Sequence, residues 1–401
     1  MKRINYSIFK YLNFIIVSAA VLMTLSGCIE EYEADISSED SDLLVVEGTI
    51  CSGRLNKFTL SRTQAINSFH KPQMVTRAMG SVRGSDGSEY FTREHKGEYT
   101  CRIDTLFPEV NYYLHIEVDG EVYESSPQKP LQTEKIEDVT GVQNTLISNI
   151  DILVTPEVPL DSSQVYYYSW TYDETWEVHP DYMTFIFFDP DSMGYRRNAN
   201  QFPQRGWMDA TGSTIMVGAS IGYDKQHIQK LKLYDIDRSS ERVYYKYGGL
   251  IHQRAISKAE YEYELARRQA ASEMGGLFTP LPSALPTNIR CLTSKKHVLG
   301  FVGCSLNTSE YRFFLNATDF SVYHPTKIVS LLWIDDTSID DCIRLVNNNM
   351  YLCEWEDNRM MPGGKLRTAW ADEYQLNVKI RYKGAYTEEP YFWSQDPGPI
   401  N

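Results

Sequence analysis

The chain is short of positive charge: 39 Lys and Arg stand against 53 Asp and Glu, a net charge of −14. Such a field repels phosphate backbones and counts against nucleic acid as a partner. Cysteine pairs at zinc-knuckle spacing are absent, as are a phosphate-cradling glycine loop, an internal repeat of solenoid length and metal-ligand spacing among the eight histidines. The histidines therefore read as surface or singly hydrogen-bonded residues. The longest apolar run, Leu12 to Leu25, is too short to span a bilayer comfortably, which takes roughly 20 residues. What is present is 42% hydrophobic and 13% aromatic residues, which excludes collagen, coiled coil and disorder and favours strands. A length of 401 residues suggests two domains.

The N-terminus carries the most specific signal. Lys2, Arg3 and Lys10 precede the apolar run, and Leu25-Ser26-Gly27-Cys28 closes it. This is the pattern of a secretion signal over 1–27, and it resembles a bacterial lipobox. The resemblance implies that Cys28 becomes the acylated N-terminus of the mature chain, its fatty chains fixing it to a membrane at roughly 0.8 kcal/mol per buried CH2. Loss of the leader removes three basic residues and takes the net charge from −14 to −17. Seven of the fourteen residues from Ile29 to Asp42 are acidic, so 28–42 reads as an extended tether. Acids directly after a lipidated cysteine resemble the signal that sends lipoproteins of Bacteroidota to the outer face of the outer membrane. A linker charged only for solubility is the other reading.

Six cysteines remain, Cys51, Cys101, Cys291, Cys304, Cys342 and Cys353, an even number in an exported chain, and fifteen full pairings are possible. Asn347-Asn348-Asn349 lies midway between Cys342 and Cys353, so a hairpin there would bring those two together. Cys51 with Cys101 and Cys291 with Cys304 are suggested by nearness along the chain alone.

From Leu43 the chain alternates in short runs, among them Leu44 to Gly48, Lys57 to Leu60 and Tyr112 to Val118, punctuated by Ser85-Asp86-Gly87-Ser88 and Asp119-Gly120. These suggest an immunoglobulin- or transthyretin-like β-sandwich over 43–135, bounded by Pro127 and Pro130. A larger β domain fills 136–401. In it Tyr166, Tyr168, Trp170 and Tyr172 share one face of a strand whose other face carries Ser169, Thr171 and Asp173. The aromatic row is either core or a stacking platform, and core fits its large apolar side chains better. Ser257-Lys258-Ala259-Glu260 is a capping box opening a helix, and a shorter helix at Lys225 to Leu231 would complete a helical insertion around 224–275. Tyr374 to Tyr382 alternates as a strand.

Several segments in order resemble the Bacteroidota lipoprotein family named domain of unknown function 4249. They are Leu44-Val45-Val46-Glu47-Gly48, Phe58 to Arg62, Gly97-Glu98-Tyr99, Gly120 to Ser125, Glu174-Thr175-Trp176, the helix from Ser257, Leu285 to Ile289, Leu299-Gly300-Phe301 and Gly384 to Trp393. Tyr386 to Tyr391 and Val302-Gly303-Cys304 depart from the family pattern. The resemblance implies a cell-envelope lipoprotein often encoded beside TonB-dependent outer-membrane transporters, without an established activity.

Gly218-Ala219-Ser220-Ile221-Gly222 matches the G-x-S-x-G elbow, making Ser220 a candidate nucleophile against a glycine-flexed turn. Asp189 to Gly194 starts like a calcium loop but reads as a turn, and Asp335, Asp336, Asp340 and Asp341 could hold a divalent ion if folded together. The expectation is a non-enzymatic, lipid-anchored lipoprotein of the outer membrane, without a cofactor, that binds a nutrient or a TonB-dependent transporter and supports uptake. The alternatives are a surface serine hydrolase using Ser220 and a structural or adhesion module lacking a cleft.

Overall fold

Strands form where apolar residues alternate, and the computed structural model is mainly β, 48% strand against 12% helix. It describes residues 42–63, 73–197, 202–212, 215–273, 285–324 and 331–400. The leader, Cys28 and the tether up to residue 41 lie outside the described residues.

Two sheets stack over one core in the first unit. One runs Val298–Ser305, Leu44–Cys51, Arg54–Arg62, Glu98–Ile103, Arg93–His95; the other runs Ile289–Cys291, Glu121–Ser125, Tyr112–Val118, Met79–Gly84, Glu89–Phe91. Val46, Phe58, Leu60 and Tyr99 of the first meet Val82, Leu114, Ile116 and Tyr123 of the second. Residues 43–135 supply most of this unit, but two segments far along the chain complete it. Val298–Ser305 pairs in parallel along the whole of Leu44–Cys51, and Ile289–Cys291 pairs with Glu121–Ser125. Every position of Val298–Ser305 is buried, the continuous apolar pattern of a strand covered on both faces.

The second unit is built on an antiparallel sheet ordered Gly206–Thr211, Tyr167–Val178, Lys246–Ile256, Ser309–Asn316, Gly398–Ile400. A three-stranded sheet, Ile136–Val142, Ile150–Pro156 and Leu231–Ile236, packs on one face. The aromatic row is core: Tyr168 and Trp170 are buried, and Tyr172 stacks on Tyr234 at 4.1 Å. A third sheet, Leu332–Asp335, Leu366–Asp372 and Met350–Asp357, carries the helix Ile339–Asn347.

Three local expectations are corrected. The helical insertion shrinks to Lys258–Glu273: Asp224–Gln226 is one 3-10 turn with Lys225 at φ 51°, and Leu231–Ile236 is a strand. Tyr374 to Tyr382 forms two helical turns, Glu373–Leu376 and Val378–Arg381. The side chains of Asp372 and Asn377 accept the amides of Gln375 and Lys379, and such caps favour helix over strand. No hairpin joins Cys342 to Cys353, because Ser338 and Asp341 form a capping box that starts the helix Ile339–Asn347. Cys342 packs with Phe188 and Trp370, Cys353 with Ala371 and Leu376, and all six described cysteines are free thiols. Cys51, Cys101 and Cys304 are buried in the sandwich, while half-exposed Cys291 hydrogen-bonds with Ser294 and Thr293.

Candidate functional site

The face of the large sheet opposite the aromatic core is polar, and its register explains why. Ser169, Thr171, Asp173 and Thr175 alternate with the buried aromatics. They pair across to Arg254, His252, Leu250 and Gly248, which in the last three cases pair onward to Glu310, Arg312 and Phe314. On the other side, Asp173 and Thr175 oppose Thr211 and Asp209.

His252 sits at the centre of this face. Its Nε2 lies 2.9 Å from Asp173 Oδ2 and its Nδ1 lies 3.1 Å from Glu310 Oε1, so one imidazole ties three strands together. Burial works against its charge, but the hydrogen bonds to Glu310 and Asp173 outweigh it and raise its pKa above the ordinary value. The His252 hydrogen bond holds Glu310 below the usual carboxylate range. Asp173 is also held low: burial opposes its ionisation, and hydrogen bonds from Thr211 and His252 outweigh that. With both neighbours ionised, the ring that satisfies them is the doubly donating imidazolium.

Two hollows flank His252. A cleft of about 340 Å3 opens where the hairpin of Leu44–Cys51 and Arg54–Arg62 overhangs the sheet. Arg54, Lys57, His252 and Arg254 line it, with the hydroxyls of Thr49, Ser169, Thr171 and Thr308, and no Asp or Glu belongs to the lining among the described residues. A more open hollow of about 630 Å3 is bordered by Asp173, Thr175, Asp209, Thr211, Arg312 and Phe392. There the Arg312 guanidinium lies 3.7 Å from the centre of the Phe392 ring, and burial lowers its pKa. Next to Phe392, Trp393 is buried against Gly248 and Phe314, and Lys246 Nζ stands 5.0 Å from the Trp393 ring centre.

The residues singled out as candidate sites are elsewhere. Ser220 is fully buried: its Oγ accepts the Tyr166 amide at 2.9 Å and donates to Gln226 Oε1 at 2.7 Å. Its side-chain partners among the described residues are thus an amide and a glutamine, and no histidine stands there in the role of base. Nearby His227 instead reaches the Pro156 carbonyl oxygen at 2.9 Å. The four aspartates have separate duties: Asp335 pairs with Arg367 at 2.7 Å, Asp336 with Lys365 at 2.7 Å, Asp341 caps its helix, and Asp340 lies in that helix's first turn. Among the described residues no group of three or more His, Cys, Asp or Glu is placed to hold a metal ion. Asp189 to Gly194 is the tight turn of a hairpin, Ile186–Asp189 with Gly194–Arg197. The expectation of singly bonded histidines fails at His252 and also at His115, which lies between Glu124 and Glu117 at 2.9 and 3.1 Å.

The signal for the polar face was the Ser169, Thr171, Asp173 alternation itself, which sequence reasoning weighed only as the outer side of an aromatic strand. Arg54, Glu310 and Arg312 carry no local motif; sheet register brings Glu310 and Arg312 near His252, and the docking of the sandwich on the large sheet brings Arg54 to the same cleft.

Fold and site together define a mainly β protein with a solute-sized cleft between a sandwich and a second sheet. The chain belongs to the family described as Domain of unknown function (DUF4249), which matches residues 29–311, more than half of its length. The match begins one residue after Cys28 and stops at Tyr311, so the C-terminal segment around Phe392 and Trp393 lies beyond it. No curated protein matches the chain.

Proposed function

We propose that the chain is a non-enzymatic accessory protein of the outer membrane, held by a lipid on Cys28, that captures a nutrient for a TonB-dependent transporter. The observation that carries the capture role is the cleft beneath the sandwich hairpin, lined by cations and by hydroxyls without a side-chain partner among the described residues. A small-molecule site of this kind places a few polar groups in a concave, preformed wall, often between domains. A purely structural module has no use for such a cleft, and a hydrolase using Ser220 would need that hydroxyl free and beside a base. The anchoring half of the reading rests on the lipobox resemblance and the acidic stretch after it. Holding the protein within tether reach of a membrane partner raises the effective concentration of even a weak contact.

The test is affinity isolation of the full-length protein from detergent-solubilised membranes, with mass spectrometry of its processed N-terminus. An acylated Cys28 and a co-purifying transporter are expected. An unacylated start overturns the anchor, and intact protein recovered without a transporter overturns the accessory role.

A further inference from the structure

The cleft carries more information than its existence. Its four cationic side chains are not equivalent. Arg254 is neutralised by Glu260 at 2.5 Å, Lys57 by Glu98 at 3.3 Å, and His252 by Asp173 and Glu310. Arg54 forms no ion pair among the described residues, although it is near enough to favour ionisation of Glu310. It follows the Ser52-Gly53 turn, where Gly53 sits at φ 72° and its amide is held by the Ile103 carbonyl oxygen at 2.8 Å, so the start of its strand is fixed. One guanidinium is therefore left to meet one negative charge, in a protein whose overall charge is −14.

Of the other polar side chains in the lining, Asn56 and Gln253 spend their amides on partners within the fold, and four residues offer hydroxyls. Thr49, Ser169, Thr171 and Thr308 make no side-chain hydrogen bond among the described residues, and each hydroxyl both donates and accepts. Cys51, Leu55 and Ile215 add apolar wall. A volume of about 340 Å3 is at the small end for ligand sites, suited to one ring rather than a chain of them.

We propose that this cleft binds a single small hydroxylated carboxylate of the sugar-acid class. Arg54 takes the carboxylate in a bidentate fork, the four hydroxyls take the ligand's hydroxyl groups, and Leu55 and Ile215 meet its C–H face. The assignment rests on the capture role proposed above and names what is captured. A phosphate dianion is a poorer match, because among the described residues one lining cation, Arg54, lacks a carboxylate partner and the other three have one.

Calorimetric titration of the full-length protein in detergent tests it, with glucuronate, galacturonate and gluconate as ligands and glucose and inorganic phosphate as controls. Saturable binding of at least one sugar acid is expected, at least tenfold tighter than glucose or phosphate. Arg54→Gln, at an exposed position, should weaken it tenfold or more without changing the melting temperature, and Thr171→Val should weaken it severalfold. Three outcomes overturn the proposal: no acid binds, binding survives Arg54→Gln unchanged, or phosphate binds as tightly as the acids. Each leaves transporter co-purification to stand or fall separately, since that isolation does not depend on Arg54.

Discussion

Arg254 donates to both oxygens of Glu260, at 2.5 and 3.1 Å, and the pair lies against Gly303, where a side chain would collide with it. The glutamate comes from a sequence that reads as a capping box, and half of that box forms, since the Glu260 amide donates to Ser257 Oγ at 3.1 Å. Its carboxylate instead turns to Arg254, while Tyr263 and Arg267 of the same helix reach Glu47 on Leu44–Cys51. The helix thus fastens the sandwich to the large sheet beside the cleft.

Glu260→Ala should cost about 2–4 kcal/mol in denaturant unfolding, because it leaves a largely buried guanidinium without its carboxylate, at somewhat less than the cost for a fully buried charge since Arg254 also faces the cleft. The double replacement Arg254→Met with Glu260→Leu should restore most of that loss. A single variant as stable as the parent would mean that the pair does not hold the two units together.

How much of this was readable beforehand depends on the range of the interactions. Alternation gave the sandwich strands and the buried face of Tyr168 and Trp170, because period-two patterning is local and a buried face demands apolar side chains. Tyr374 to Tyr382 misled by the same rule: its alternation is real, but caps at Asp372 and Asn377 decide the backbone. The cleft was invisible for a different reason. Arg54 and His252 are 198 positions apart and meet through the docking of one sheet on another, which leaves no periodic trace in the sequence.

His252 makes stability depend on pH with a definite sign. Its folded pKa is raised above the ordinary value near 6.5, so its contribution is complete below about pH 6.5 and is lost as the pH rises through the folded value. Asp173 and Glu310 are shifted down, so theirs is present above about pH 4.5 and lost on acidification. The stability gap between the parent and His252→Asn, measured by urea unfolding, should therefore be larger at pH 6 than at pH 9. Equal gaps at the two values would mean that the imidazolium form has no special place in the fold.

Gly300 lies in the middle of Val298–Ser305 at φ 101°, paired with Val46, and a Cβ there would overlap the Val46 carbonyl oxygen. Backbone strain and overpacking each cost about 1–3 kcal/mol, so Gly300→Ala should lose roughly 2–6 kcal/mol. Because this strand closes the sandwich, limited proteolysis should then cut within 285–305 before it cuts the large sheet. An alanine variant with the parent's protease pattern would show that the strand can dock in another register.

Ser220→Ala distinguishes a structural hydroxyl from a catalytic one. The buried Oγ joins the Tyr166 amide to Gln226, tying the entry of the aromatic strand to the 3-10 turn Asp224–Gln226. Alanine would strand a buried donor and leave the glutamine oxygen unmatched, which costs about 1–3 kcal/mol. The melting temperature should fall accordingly, whereas sugar-acid binding at the cleft should stay within twofold, since Ser220 does not line it. If the variant instead keeps full stability and loses an esterase activity measured in the parent, Ser220 is a nucleophile exposed by a rearrangement of the Gly218 to Gly222 turn, and the binding-protein reading gives way to that of an enzyme.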